Sequence, residues 1–319
     1  MLVLMLVISF VSFIVIQLPP GDFLTTYISK LSQDTGTSYT PEMIEAIKEQ
    51  YGMNRSPVEQ YFRWIGNIVF KGDLGRSLEW KQPVSALIAS KMPVTVAISL
   101  ITLMFTYIIA VPIGIYSARH QYSIPDYLFS GLGFIGLATP SFLLALVLMY
   151  LTSTYLGASV GGLYSPEFVN APWSMAKLWD LIKHFPIPVV VIGLQGTASV
   201  IRIMRANLLD ELKRPYVAAA RARGVSEGTL LFKYPVRVAM NPIISTVGSI
   251  LPGIISGATV TAIVLDLPTV GALMYKSLLS QDMYLAGGCM LVLALFTIIG
   301  TFISDILLVM VDPRIRLDA

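Results

Sequence analysis

Charge is scarce in this chain. Only 13% of its 319 residues are Asp, Glu, Lys or Arg, while 55% are hydrophobic, against about a quarter charged in soluble domains. A water-soluble fold has no way to bury that much apolar surface. Cysteine is nearly absent as well: the single Cys289 excludes a disulfide within the chain and any thiol pair for metal or redox chemistry. Placed inside an apolar run, it reads as a small packing residue. The two histidines, His120 and His184, lie far apart in sequence without ligand-like neighbours. Also missing are His-Glu-x-x-His, Gly-x-Ser-x-Gly and the Gly-x-x-x-x-Gly-Lys-Ser/Thr loop that holds a nucleotide phosphate. The expectation is therefore no catalytic residue, no metal site and no cofactor in this chain.

What is present is length of apolar sequence. Six stretches, 1–18, 94–116, 127–156, 185–201, 242–265 and 286–311, approach the ~20 apolar residues an α-helix needs to cross ~30 Å of hydrocarbon. The first lacks the basic start and cleavage site of a signal peptide and reads as a retained span, its short length implying either a helix that begins upstream or a wrongly assigned start. The sequence thus predicts an all-α polytopic membrane protein with six transmembrane helices: a first helix at 1–18, an external helical segment at 19–93 and a five-helix core at 94–319. Numbering the spans alternately puts eleven basic residues in segments 117–126, 202–241 and 312–319, and three in 157–184 and 266–285. The positive-inside rule makes the first side, with both termini, cytoplasmic. Ionisable residues inside the spans are few. Asp305, near the cytoplasmic end of the last span, reads as structural, and this sparseness argues against an intramembrane enzyme and against an ion-coupled secondary transporter.

Segment 19–93 carries its own helix signals. Thr40 with Pro41 starts a helix expected over 41–51, stopped at Gly52. Ser56 and Glu59 form a capping box around Pro57, and Val58, Tyr61, Phe62, Ile65, Ile68 and Val69 recur at helical spacing. That second helix is expected to lie on the bilayer surface, close over a pathway or pack on the spans. Pro112 and Pro140 are candidate kinks around a pathway.

The cytoplasmic segment 202–241 is too long for a simple turn and has a net charge of +5. Pro215 suits a first helical position, and the Ala-rich run after it favours a helix. Gly224 is expected to end that helix in a left-handed conformation, and Ser226 to cap the next. Two short helices with an elbow at Gly224 can dock into a cleft on another protein.

At these residues the chain resembles the permease subunits of ABC importers, whose cytoplasmic loop carries Glu-Ala-Ala-x-x-x-Gly. The matching positions are Ala218, Ala219, Ala220 and Gly224, without the glutamate. The run Tyr216-Val217-Ala218-Ala219-Ala220-Arg221-Ala222-Arg223-Gly224-Val225-Ser226 is similar to the form in the dipeptide/oligopeptide/nickel branch, which commonly lacks it. Gly72-Asp73-Leu74-Gly75-Arg76-Ser77, Pro140-Ser141-Phe142, the run 205–211 and Asp312-Pro313-Arg314-Ile315-Arg316 match the branch in order. Asp266-Leu267-Pro268-Thr269-Val270-Gly271 departs from a Pro-Gly-Leu-Gly turn at Thr269. The resemblance implies a type I importer permease fold: a non-catalytic half of a translocation pathway beside a second homologous permease. It implies two cytoplasmic ATPases that bind ATP and Mg, and an external solute-binding protein delivering a peptide or oligosaccharide. Tyr216 to Ser226 would be the coupling loop, with Arg221 and Arg223 as electrostatic contacts and Gly224 as the elbow.

Overall fold

The computed structural model describes residues 6–14 except 8 and 12, then 40–50, 56–157, 161–248, 250, 253, 254 and 258–311. The described elements are helical, with one isolated bridge between Arg76 and Pro83. Most of the expected first span, the stop at Gly52 and the closing 312–316 motif lie outside the described residues. Among the described residues, three helices are long and apolar enough to cross a membrane: α3 (Val84–Arg119), the run Met175–Leu212, and α13 (Met283–Val311). A fourth crossing is available if a bent pair counts as one span: α4 (Ile124–Ala138) and α5 (Ser141–Leu156), set at 106°. The expected fifth span contains undescribed positions, flanked by α10 (Pro235–Ser245) and α11 (Thr259–Val264).

Pro140 explains where the bent pair breaks. It has no N–H to give the carbonyl of Gly136, and it disfavours helical geometry at Thr139, which adopts an extended φ of −88° and ψ of 123°. α3, by contrast, runs unbroken through Pro112.

The chain divides into two compact units. The first comprises residues up to 93 and 269–295, including α1 (Pro41–Gln50), α2 (Pro57–Lys71) and α12 (Val270–Leu279). Thr40 accepts from the Met43 amide at 3.4 Å and Ser56 from the Glu59 amide at 3.3 Å, so both helices begin where the capping residues require. Tyr61 and Trp64 of α2 are buried against Phe13 and Leu291, while Phe62, Val69 and Phe70 are exposed. Of the roles open to this helix, packing takes the Tyr61–Trp64 face. Thr269 caps α12 through the Ala272 amide at 3.3 Å, so its departure from the branch's turn supplies a helix start.

The Gly72–Ser77 motif is held by a buried carboxylate. Asp282 accepts from the Ser77 hydroxyl at 2.5 Å and from the amides of Leu78, Glu79 and Leu285 at 2.8, 3.2 and 3.1 Å. Burial pushes its carboxyl pKa up, while these donors pull the other way. Asp282→Ala would strand several buried donors at ~1–3 kcal/mol each. The expected outcome is faster proteolysis within 72–83 than in the parent protein; an unchanged digestion pattern would show that this carboxylate does not hold the loop.

The second unit, 94–268 with 296–319, contains α4, α5, α6 (Met175–His184), α7 (Pro186–Leu212), α10 and α11. Lipid is as apolar as leucine, so helix association there rests on close packing by small residues. Ala110, Val200, Met204, Leu208, Ala239 and Ile243 join α3, α7 and α10. A Cβ at Gly114 would fall 2.6 Å from the Met204 Cβ, so only glycine permits this approach of α3 to α7. Cys289, in α13 of the first unit, is free and fully buried, as a packing residue should be.

Candidate functional site

The segment expected to couple folds as two short helices, α8 (Pro215–Ala222) and α9 (Glu227–Lys233). Pro215 opens α8, where its missing N–H costs nothing. The helix closes at Gly224 with φ +76°. There the Gly224 amide reaches the Arg221 carbonyl at 3.0 Å and the Val225 amide reaches the Ala220 carbonyl at 3.3 Å. A side chain in this left-handed region costs ~1–2 kcal/mol, which is why glycine ends the helix.

Val217, Ala220 and Leu230 are buried together, with Val225 and Tyr234 packed on them. This small core fixes the angle between α8 and α9. Ala218, Ala219, Ala222 and Arg223 lie on the exposed side, a shallow face that a partner surface can approach closely. Arg221 gains a partner within the chain, and the expected Ser226 cap does not form. Arg221 is bound within the chain, forked to Glu227 at 2.6 and 3.1 Å, so it braces the elbow. Ser226 stands at the start of α9 without capping it; its hydroxyl donates to that of Thr229 at 3.0 Å. The guanidinium beside Glu227 holds its carboxyl below the usual range. This contribution is complete above the unfolded value and lost as pH falls through the folded one; for an exposed pair it is small. Tyr216 donates to Glu211 at 2.5 Å, and burial, followed by that carboxylate, pushes its phenol up to about 12.

The elbow is mechanically continuous with the membrane helices. Leu231 of α9 enters the core formed by Ala118 of α3, Met204 and Leu208 of α7, and Ala239 and Ile243 of α10. One turn further into the helix, Arg205 of α7 grips Asp126 of α4 through two hydrogen bonds of 2.9 Å. Asp126 also accepts from the Tyr122 amide at 3.0 Å, and its side chain is only 3% exposed. α8 is therefore joined through α9 to α7, α10 and α4 by packing and hydrogen bonds. In sequence Arg205 stands among the cytoplasmic cations and at the head of the 205–211 run, and nothing there points to Asp126, its partner 79 positions away. An acidic residue just after a serine cap looks like an ordinary helix-start signal.

Comparison with known proteins agrees with this architecture. The family described as "Binding-protein-dependent transport system inner membrane component" matches residues 110–317, and its N-terminal counterpart matches 1–99. The oligopeptide transport system permease protein AppB of Bacillus subtilis is 33% identical over 98% of this chain and 95% of its own. The nickel import system permease protein NikB of Staphylococcus aureus is 29% identical over 99% of this chain and 89% of its own. A solved structure, the inward-facing MetNI methionine ABC transporter, superposes with a TM-score of 0.51 at 16% identity. It covers 71% of this chain and 97% of that one, which speaks for the fold alone. The chain is a non-catalytic, multi-pass membrane permease, and it belongs to the family of binding-protein-dependent transport system inner membrane components.

Proposed function

We propose that this chain is one of two homologous permeases in an ATP-driven importer for short peptides, with the α8–α9 elbow as its contact to an ATPase subunit. In this reading two cytoplasmic ATPases bind ATP and Mg, and an external solute-binding protein delivers the cargo. Both termini are cytoplasmic, six helices span the bilayer, segment 19–93 lies outside, and 202–241 is the coupling loop. The observation that carries the reading is the elbow itself: a braced pair of helices whose outer face is small and whose inner face is tied into the membrane core. ATP closes the ATPase pair, the elbow follows, and the helices joined by Leu231 and by the Asp126–Arg205 pair rock as a body between inward- and outward-facing states. Peptide is favoured over oligosaccharide or nickel by the 33% and 32% identical relatives named for peptides. Family membership favours this reading over an ion-coupled carrier.

The test is uptake into proteoliposomes holding the complete complex. Labelled trialanine supplied with its binding protein should accumulate against its gradient only when ATP is enclosed with the ATPases. Accumulation driven by a proton or sodium gradient without ATP would contradict the proposal.

A further inference from the structure

The break between α4 and α5 opens onto a cavity of about 330 Å³ that also borders α3 and α7, within the usual volume range of small-ligand sites. Among the described residues its polar lining is Thr106, Ser141, Gln195 and Ser199, beside Gly193 and Gly196; the other described lining residues are aliphatic or glycine, none of them charged or aromatic. Gln195 stands ten residues into α7, about 15 Å along the helix, near the middle of a ~30 Å hydrocarbon layer. It is nevertheless exposed in the isolated chain. An amide facing hydrocarbon costs several kcal/mol, so Gln195 at this depth faces water, cargo or protein.

Irregular backbone at membrane depth is tolerated where it lines a cavity, and helix breaks near the midplane are where transporters place their binding sites. The Thr139 carbonyl at this break accepts one Gln195 amide hydrogen at 3.4 Å. A glutamine amide has a second N–H and a carbonyl oxygen. Those two groups complement a peptide unit, which presents one N–H and one C=O. Ser141 is held at the same break by a 2.8 Å hydrogen bond with Thr261, and Thr106 leans to the Gly193 carbonyl at 3.5 Å. We propose that this cavity is a transit subsite in the translocation pathway, in which Gln195 and the Thr139–Ser141 break hold the uncharged backbone of a passing peptide. The proposal rests on the importer reading and adds to it where the cargo is touched and by what.

The lining chemistry selects the cargo class. A nickel ion needs imidazole, thiolate or carboxylate donors, and none is among the described residues that line this cavity. An uncharged wall leaves the charged ends of a peptide unheld, so it serves peptides of varied length and side chain.

The experiment is cysteine protection in the full complex in lipid, using Ser199→Cys, which lines the same cavity one turn along α7 and leaves the Gln195 amide in place. Cys289, the one native cysteine of the chain, is buried, and mass spectrometry assigns the label to this chain. A water-soluble methanethiosulfonate should modify position 199, and saturating trialanine should slow that reaction by roughly tenfold. Backbone-N-methylated trialanine and maltotriose should slow it by less than about twofold, since the methylated peptide lacks the hydrogen bond at issue, a difference worth a factor of about ten at most. Absence of modification, or modification indifferent to trialanine, overturns the subsite; equal protection by maltotriose overturns the peptide selectivity. ATP-driven uptake by the unmodified complex is read in the same liposomes, so failure of the importer reading registers separately. As a second variant, Gln195→Asn, which keeps the amide, should retain more trialanine uptake than Gln195→Leu at equal complex assembly. If Gln195→Leu instead dissociates the complex, position 195 is a subunit interface and the proposal falls.

Discussion

Gly224→Leu will separate ATP hydrolysis from uptake: the complex continues to hydrolyse ATP while peptide accumulation falls by about tenfold or more. The argument is conformational. Gly224 sits at φ +76° with nothing within 4 Å of where a Cβ would be, so leucine meets no steric wall there, only an unfavourable backbone. Forcing a side chain into the left-handed region costs ~1–2 kcal/mol, enough to reduce the population of the native elbow by a factor of roughly 5–30. Gly224→Ala meets the same backbone cost with the smallest side chain and should show most of the effect. Gly224→Asn should be milder, because asparagine tolerates this region better. ATPase and uptake assays on the same proteoliposomes check the series. Equal loss in all three variants would mean that the side chain blocks a contact and that the turn itself is not at issue.

The second large effect is expected at Asp126 and Arg205. Breaking a buried ion pair by removing one partner costs ~3–5 kcal/mol, because the remaining charge is left without compensation. Asp126 is the more buried partner, with its side chain 3% exposed against 26% for Arg205. Arg205→Met should therefore be worse than Asp126→Asn, because it strands the buried carboxylate. The double variant should recover much of the loss, since no lone charge remains. The readouts are thermal unfolding of the solubilised complex and uptake per ATP hydrolysed. Additive losses in the double variant would show that the two residues act separately and that no strap joins α4 to α7.

These two cases mark the limits of legibility in the sequence. The elbow could be read from the chain because its signals are local: Pro215 at a helix start, an alanine run, then glycine where only a left-handed turn continues. The capping residues Thr40 and Ser56 were legible for the same reason. Pro140 announced a break but not its 106° bend, which depends on what packs on either side. The Asp126–Arg205 pair and the grip of Asp282 on the Gly72–Ser77 motif join residues 79 and 205 positions apart, and no spacing rule connects them. Arg221 carries a charge suited to an external contact, and only the fold shows that Glu227, six residues on, is its partner within the chain. In sequence Gln195 is one polar residue in an apolar run, with nothing to single it out; its surroundings, the Thr139 carbonyl and the cavity, come from the fold.

The central claim, that this chain couples an ATPase to import, is tested most directly by purifying the complex through a tag on this chain. It is then reconstituted in lipid, and ATP hydrolysis is measured with and without peptide-loaded binding protein. The account predicts that an ATPase pair copurifies and that the loaded binding protein stimulates it severalfold, with Gly224→Leu hydrolysing ATP but no longer transporting. A chain that purifies without any ATPase and still moves peptide down an ion gradient would contradict it.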